Sequence, residues 1–255
     1  MGCAGSKPTK GKGRQPAGGL QIGAPQDVTI HIPRNRLDAQ GVPIQPVTRD
    51  IDANTLRQAL ERVSHYIASR GQHISVIAVG GAVNTLYLRS RRTTHDVDVF
   101  GSDFNNNARH LVDEAMHETQ RAMPQLGTDW LNTETQMWLS GRLHAEITQA
   151  ARVQNVIVFQ GRDKGLTILA APWAYAFSAK INRILTGGSQ VRPYDLQDAV
   201  TYIHRYIQVH GNRPVPVKVA LGWARQYHHE MTESVLRDRV NPAYRRLYGG
   251  RNAFV

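Results

Sequence analysis

Ile74-Ser75-Val76-Ile77-Ala78-Val79-Gly80-Gly81 is followed a short way on by Asp96-Val97-Asp98-Val99-Phe100. The first run is rich in β-branched residues and ends in two glycines, which predicts a buried strand entering a tight turn. In the second run acid and apolar residues alternate. A strand sends successive side chains to opposite faces, so Asp96 and Asp98 share one face while Val97 and Val99 share the other. The acidic face is wet and the apolar face is core. Two carboxylates placed in this way can bind one hard divalent cation or bridge two, and Mg²⁺ accepts one or two carboxylates completed by substrate phosphates and water. Gly80 and Gly81 lack side chains, so backbone N–H groups can approach phosphates at a helix start, where the dipole favours anions. Asp96 and Asp98 are therefore the candidate metal ligands and catalytic residues, and Gly80 and Gly81 the candidate phosphate-binding turn.

Working outward, Asp52 can cap a helix whose Leu56, Leu60, Val63 and Ile67 recur at helical spacing, with Gly71 as its stop. Residues 82–88 read as a short helix and 105–123 as a longer one. Asn155 to Phe159 and Leu166 to Leu169 read as short strands. Pro172 and Pro193 stand where helices can begin, giving helices over 172–186 and 193–208 around the loop Thr186-Gly187-Gly188-Ser189. The order of elements predicts an α/β or α+β core, a mixed sheet flanked by helices, with a helical C-terminal extension. The expected organisation is an arm over 1–50, a core domain over 51–210 and the extension over 211–255.

Gly80-Gly81-Ala82 together with Arg92-Thr93-Thr94-His95-Asp96-Val97-Asp98-Val99 resembles the signature of the polymerase-β-like nucleotidyltransferase superfamily, closest to its small AbiEii-like and antitoxin-like branches. Ala179-Lys180-Ile181-Asn182-Arg183 and then Arg192-Pro193-Tyr194-Asp195-Leu196-Gln197-Asp198 are similar to the second motif of those branches. The resemblance covers about half of the chain, from about Ser75 to Gln208. It implies a nucleotidyltransferase-type sheet and transfer of a nucleoside monophosphate from an NTP, with Mg²⁺ or Mn²⁺ on Asp96 and Asp98. One ion would activate the attacking oxygen and another would stabilise the leaving pyrophosphate. It further implies that Arg92, Thr94 and Lys180 meet the nucleotide, Lys180 at the triphosphate, and that Asp195 supports Lys180 or the pocket. On the residues alone, Lys180 is equally an exposed helical lysine near Phe177 and Ile181, and Asp198 equally a helix-surface acid. Members that transfer nucleotides usually carry a third carboxylate on a later strand. Here the best local candidate, Val153 to Phe159, carries amides, and Asp129, Glu134, Glu146 and Asp163 are the nearby acids. The alternative is an inactive module of the same fold that binds nucleotide or a partner.

Lys and Arg number 31 against 20 Asp and Glu, a net charge of +11. That balance favours polyanionic partners: nucleotides, nucleic acid or anionic lipid. A basic nucleic-acid-binding protein with an incidental acidic pair is a further reading. One cysteine, Cys3, excludes an internal disulfide framework and a cysteine-ligated zinc site, and points to a reducing compartment. No stretch is long and apolar enough to span a bilayer, and no secretory signal core is visible. The first residues, Met1-Gly2-Cys3-Ala4-Gly5-Ser6-Lys7, match the pattern in which Gly2 takes myristate, with Cys3 beside it for palmitate. Two acyl chains, or one with the basic patch of Lys7, Lys10, Lys12 and Arg14, hold a protein stably on an anionic membrane surface. The expectation is a cytoplasmic protein, membrane-anchored through this arm, whose acceptor is a protein, an RNA or a small molecule.

Other features read as structural. His228-His229-Glu230 is expected on the surface, since adjacent helical residues diverge by about 100° and cannot share a metal. Trp138, Trp173, Tyr175, Tyr202 and Tyr206 are expected in the core. Arg237, Arg239, Arg245, Arg246 and Arg251 read as a solvated basic face. The motifs of serine hydrolases and of P-loop proteins are absent from the sequence.

Overall fold

A computed structural model describes residues 47–102, 104–133 and 141–255. Gly2, Cys3, Glu134 and Trp138 lie outside the described residues. The strands are β1 (Ile51–Asp52), β2 (Ile74–Val79), β3 (Thr93–Thr94), β4 (Val97–Phe100), β5 (Leu131–Asn132), β6 (Ile157–Gln160) and β7 (Leu166–Ala170). The helices are α1 (Ala53–Ser69), α2 (Gly81–Val83), α3 (Asn106–Ala122), α4 (Gly141–Gln154), α5 (Trp173–Thr186), α6 (Asp195–Val209), α7 (Val217–Tyr227) and α8 (Asn241–Tyr248).

The architecture is mixed α/β, as expected. Five strands form one sheet in the order β5-β4-β2-β7-β6. β2 lies at its centre, antiparallel to β4 and parallel to β7, while β4–β5 is parallel and β6–β7 antiparallel. Val76, Ile77 and Ala78 of β2 are buried, which explains the apolar run from Val76 to Val79. Val97 and Val99 are buried too, so the alternation in β4 sets its register. α1 is capped as its sequence predicts: Asp52 accepts from the Asn54 and Thr55 amides at 2.8 and 2.9 Å, and Gly71 follows the helix with φ +67°. α2 runs on into a wider π-helical turn over Asn84–Leu88, ended by Arg89 in the left-handed region. β1 pairs with β3 through Ile51 to Thr94 and Asp52 to Thr93, clipping the start of α1 to the segment before β4.

The strand expected over Asn155 to Phe159 is present as β6, starting two residues later. Val153 and Gln154 end α4 instead of opening a strand, and β6 begins at Ile157 on the far edge of the sheet, away from β4. The Gln154 amide ties the end of α4 to the β7–α5 connection, accepting from Trp173 N at 2.9 Å and donating to Ala171 O at 3.1 Å.

The C-terminal region is helical, and α7 and α8 share the hydrophobic core of α5 and α6. Phe177 of α5 meets Trp223 at 6.2 Å and Phe254 at 5.4 Å between ring centres. Asn241 fastens the last residues by donating to Phe254 O at 3.0 Å and accepting from Phe254 N at 2.9 Å. No described helix is long and apolar enough to cross a membrane.

Candidate functional site

The turn after β2 depends on both of its glycines. Gly80 has φ +72° and ψ −136°, a conformation that side chains disfavour. Gly81 is constrained by contact instead, since a Cβ there would stand 2.1 Å from Thr94 Oγ1. Thr94 is buried against the turn and donates to Asp96 O at 3.0 Å, fixing the backbone that presents the first acid. Tyr202 of α6 donates its hydroxyl to Gly80 O at 3.2 Å, tying the turn to the helical layer.

Gly80, Gly81, Arg92, Thr94, Asp96, Asp98 and Lys180 all line one cavity of about 330 Å³. The structure thus gathers the predicted residues from the turn after β2, the segment from Arg92 through β4, and α5, separated by about a hundred positions in the chain, into a single space. Arg91, Arg183, Arg192, Tyr194, His95 and Asp50 join them there. Asp195 stands behind Lys180 instead of on the cavity wall.

Burial raises the Asp98 carboxyl to about 7, and the negative charge of Asp96 adds to that rise. The Asn132 amide and the guanidinium groups of Arg183 and Arg192 pull in the opposite direction. Asn132 lies across from Asp98 in the β4–β5 register and donates Nδ2 to Asp98 Oδ1 at 2.8 Å. The strand beside the acidic pair is therefore β5, and the side chain it offers is an amide. Of the acids considered for that place, Asp129, Glu146 and Asp163 do not line the cavity. Glu146 pairs with Arg142 at 2.9 Å on the exposed face of α4, and Asp163 accepts from Ser64 Oγ at 2.5 Å in the β6–β7 turn. The acid that does reach the mouth is Asp50, where His95 Nε2 lies 3.1 Å from Oδ1 and Thr93 Oγ1 donates at 3.2 Å. Asp96 and Asp98 are thus not the only acids beside the glycine turn. Asp50 belongs to a stretch read as the end of the arm, and only the β1–β3 pairing brings it here.

Two features read as possible surface groups are interior. Lys180 Nζ lies 2.6 Å from Asp195 Oδ1 and 2.9 Å from Asp198 Oδ2, and all three residues are buried. Arg91 closes the set, donating Nε to Asp198 Oδ1 at 3.0 Å and a second N–H to the other oxygen while its guanidinium lies 3.6 Å over the Tyr194 ring. Burial opposes ionisation of Asp195, but the charge and hydrogen bond of Lys180 outweigh it and hold that carboxyl below its ordinary value. Burial likewise opposes the charge of Arg91, and Asp198 more than offsets it. Two cations and two anions interlock α5, α6 and the segment before β3.

His229 also corrects the sequence reading. α7 ends at Tyr227, His228 takes a left-handed conformation, and the chain turns back so that His229 is buried with Nδ1 3.0 Å from Ser178 Oγ. His228 and Glu230 remain exposed. Trp173, Tyr175 and Tyr202 are buried as expected, and Tyr206 is half-buried. Arg237, Arg239, Arg245, Arg246 and Arg251 are exposed, with Arg237 on Glu233 at 2.6 Å.

Among the described residues no three His, Cys, Asp or Glu side chains converge as a metal site. A cation on Asp96 and Asp98 would therefore need phosphate oxygens and water to complete its shell, which is the manner in which Mg²⁺ is ordinarily held beside nucleotides. No curated protein and no solved structure matches the chain. A family model described as Domain of unknown function (DUF7582) matches residues 49–251, a span that includes β1 to α8 and every residue of the cavity. The chain belongs to that family, DUF7582.

Proposed function

We propose that this chain is a Mg²⁺- or Mn²⁺-dependent nucleotidyltransferase that moves a nucleoside monophosphate from an NTP to an acceptor. The observation that carries the reading is that Asp96 and Asp98, the Gly80-Gly81 turn, and the cations Lys180 and Arg183 of α5 with Arg192 before α6 line the same 330 Å³ cavity. That volume lies in the range of small-molecule sites, roughly 300–1,000 Å³. The donor set fits a hard divalent ion. Asp98 stands beside Asp96 with its ionisation penalised by burial and by that neighbour, and a cation between them would relieve both effects. When bound, the ion would polarise the phosphoryl group under attack and offset charge on the departing pyrophosphate. The chain's own contribution is to position groups. The glycine turn offers backbone N–H groups to phosphate, Thr94 holds the backbone of Asp96, and Asn132 fixes one oxygen of Asp98. The acceptor class is a protein side chain, an RNA end or a small molecule.

A second reading is favoured by Asn132. An amide cannot take a proton from an acceptor hydroxyl or supply a third anionic ligand, so the domain would bind Mg·NTP without turnover. Calorimetry with Mg·NTP and a pyrophosphate-release assay with cell extract as acceptor source test both. Metal-dependent binding lost in Asp96→Asn/Asp98→Asn is expected, with pyrophosphate release under the first reading. Binding without release supports the second, and Asn132→Asp should then restore release. Unchanged NTP affinity in the double variant defeats both.

We also propose that the arm carries acyl groups on Gly2 and Cys3 and places the site at the cytoplasmic face of an anionic membrane.

A further inference from the structure

Charge is unevenly spread over the C-terminal helices. Residues 211–255 carry eight Lys and Arg against three acids, and all eight cations are exposed, so the excess lies on the surface. Two of the acids are engaged before α8, Glu233 with Arg237 and Asp238 with Ser234. The far end of α8 has cations alone. Arg245 and Arg246 stand in its last turn, Arg251 follows in the tail, and Arg205 comes from α6. The hydrogen bonds of this set go to neutral groups. Arg205 donates to Gln208 Oε1 at 2.8 Å and to the Tyr87 hydroxyl at 3.1 Å, and Arg245 donates to Asn252 Oδ1. Among the described residues no carboxylate pairs with any of the four. The helix dipole favours cations in the last turn of α8, which accounts for Arg245 and Arg246 but not for Arg205 or Arg251.

Aromatic rings join these cations into one patch. The imidazole of His204 lies 3.6 Å from the Tyr248 ring with 4° between their planes, and its Nδ1 is 3.0 Å from the Tyr244 hydroxyl. Burial and then the charge of Arg205 hold His204 below its ordinary value, while burial raises Tyr244 and the positive charge of Arg251 counters that rise. Both arginines thus reach the same ring cluster. Tyr248 is its exposed member, 39% accessible. The spacing of the His204–Tyr248 stack is close to that of successive bases in a strand, about 3.4 Å. Asp195 opens α6 and Arg205 lies ten residues along it, about 15 Å from the cavity end at the rise of an α-helix.

We propose that Arg205, Arg245, Arg246 and Arg251, set around the Tyr248–His204 stack, form a binding surface for single-stranded RNA, with guanidinium groups on phosphates and Tyr248 under a base. A guanidinium fork matches phosphate oxygens, and an aromatic ring stacks on any base that is free of a duplex. The stack favours a nucleic-acid strand over a lipid surface, because a lipid headgroup has no flat ring to continue it. Of the acceptor classes named above, an RNA end is the one this surface fits. That the bound RNA is an acceptor rests on the proposed function; the binding itself does not.

The full chain, without NTP or metal, is titrated into a short labelled oligoadenylate and followed by fluorescence anisotropy at several salt concentrations. Arg245→Gln/Arg246→Gln should weaken binding about tenfold or more and reduce the slope of log affinity against log salt by about 1.4, two phosphate contacts at about 0.7 each. Tyr248→Ala should cost about fivefold or more, and Tyr248→Phe, which keeps the ring, should bind like wild type. Arg237→Gln, whose charge is already paired, should also bind like wild type. Melting temperatures establish that each variant is folded, and the basic arm is the same in all of them. The surface is overturned if wild type fails to bind at low salt, or if either the double arginine variant or Tyr248→Ala keeps wild-type affinity. Vesicles of phosphatidylserine and phosphatidylcholine are the second probe. Capture that depends on Arg245 and Arg246, without RNA binding, makes this a membrane contact and likewise overturns the proposal. RNA bound at this surface by a chain that releases no pyrophosphate upholds the surface and removes only its part in transfer.

Discussion

Asp98 carries a consequence that can be measured without any ligand. Its carboxyl is pushed up to about 7 in the folded chain, from an ordinary value of 3.8, chiefly by desolvation and then by the charge of Asp96. The folded state therefore holds a proton that the unfolded state has released across that window, so stability falls as pH rises from about 4 to about 7. Melting curves of metal-free protein should show this fall, and Asp98→Asn should flatten it relative to wild type. Mg²⁺ should raise the melting temperature more at pH 8 than at pH 5, since the ion needs the ionised pair. An identical pH slope in wild type and variant would sink the argument. Asp98 was legible because alternation along a strand is a local pattern. Asn132 was not, because β5 is two residues long and has no period to read. Its position beside Asp98 exists only through pairing between strands distant in sequence. The same holds for Lys180 and Asp198, whose burial arises from the packing of α5 on α6.

At the scale of elements, the sequence revealed those that carry their own punctuation. α1 has Asp52 and Gly71, β2 has its β-branched run, and α5 follows Pro172. α4 lacked such signals, as it opens at Gly141 and ends in Val153 and Gln154, residues that suit a strand as well as a helix. His229 was misread because α7 ends at Tyr227, before any of the three residues His228 to Glu230, and the left-handed turn at His228 sends the next side chain inward. The junction of α8 with the final residues is a separate device. Asn241 satisfies both the N–H and the carbonyl of buried Phe254. Asn241→Ala would leave a buried donor and a buried acceptor unpaired, at a cost of roughly 2–4 kcal/mol. Urea denaturation should show that loss. A change below about 0.5 kcal/mol, the usual bound for a surface substitution, would mean the clamp adds nothing to the packing of Phe254 on Phe177.

For the whole molecule, the family match begins at residue 49, so Gly2 and Cys3 lie outside it. The acylation proposal thus stands apart from the domain and is tested apart from it. Full-length protein expressed in eukaryotic cells should sediment with membranes, and Gly2→Ala should release it to the soluble fraction. Wild-type protein that is fully soluble would end the proposal. The interlocked charges of Arg91, Asp198, Lys180 and Asp195 bear on how the molecule responds to ionic strength. Mobile ions screen charges that water reaches, over roughly 8–10 Å at ordinary salt, and have little access to pairs sealed inside. Exposed Arg92 stands at the lip of the cavity, and its pull on an approaching anion fades as salt is added. The wall beneath keeps its shape because its charges are already neutralised by one another. Added salt should therefore slow the arrival of a polyanion at this cavity while leaving the architecture that receives it unchanged.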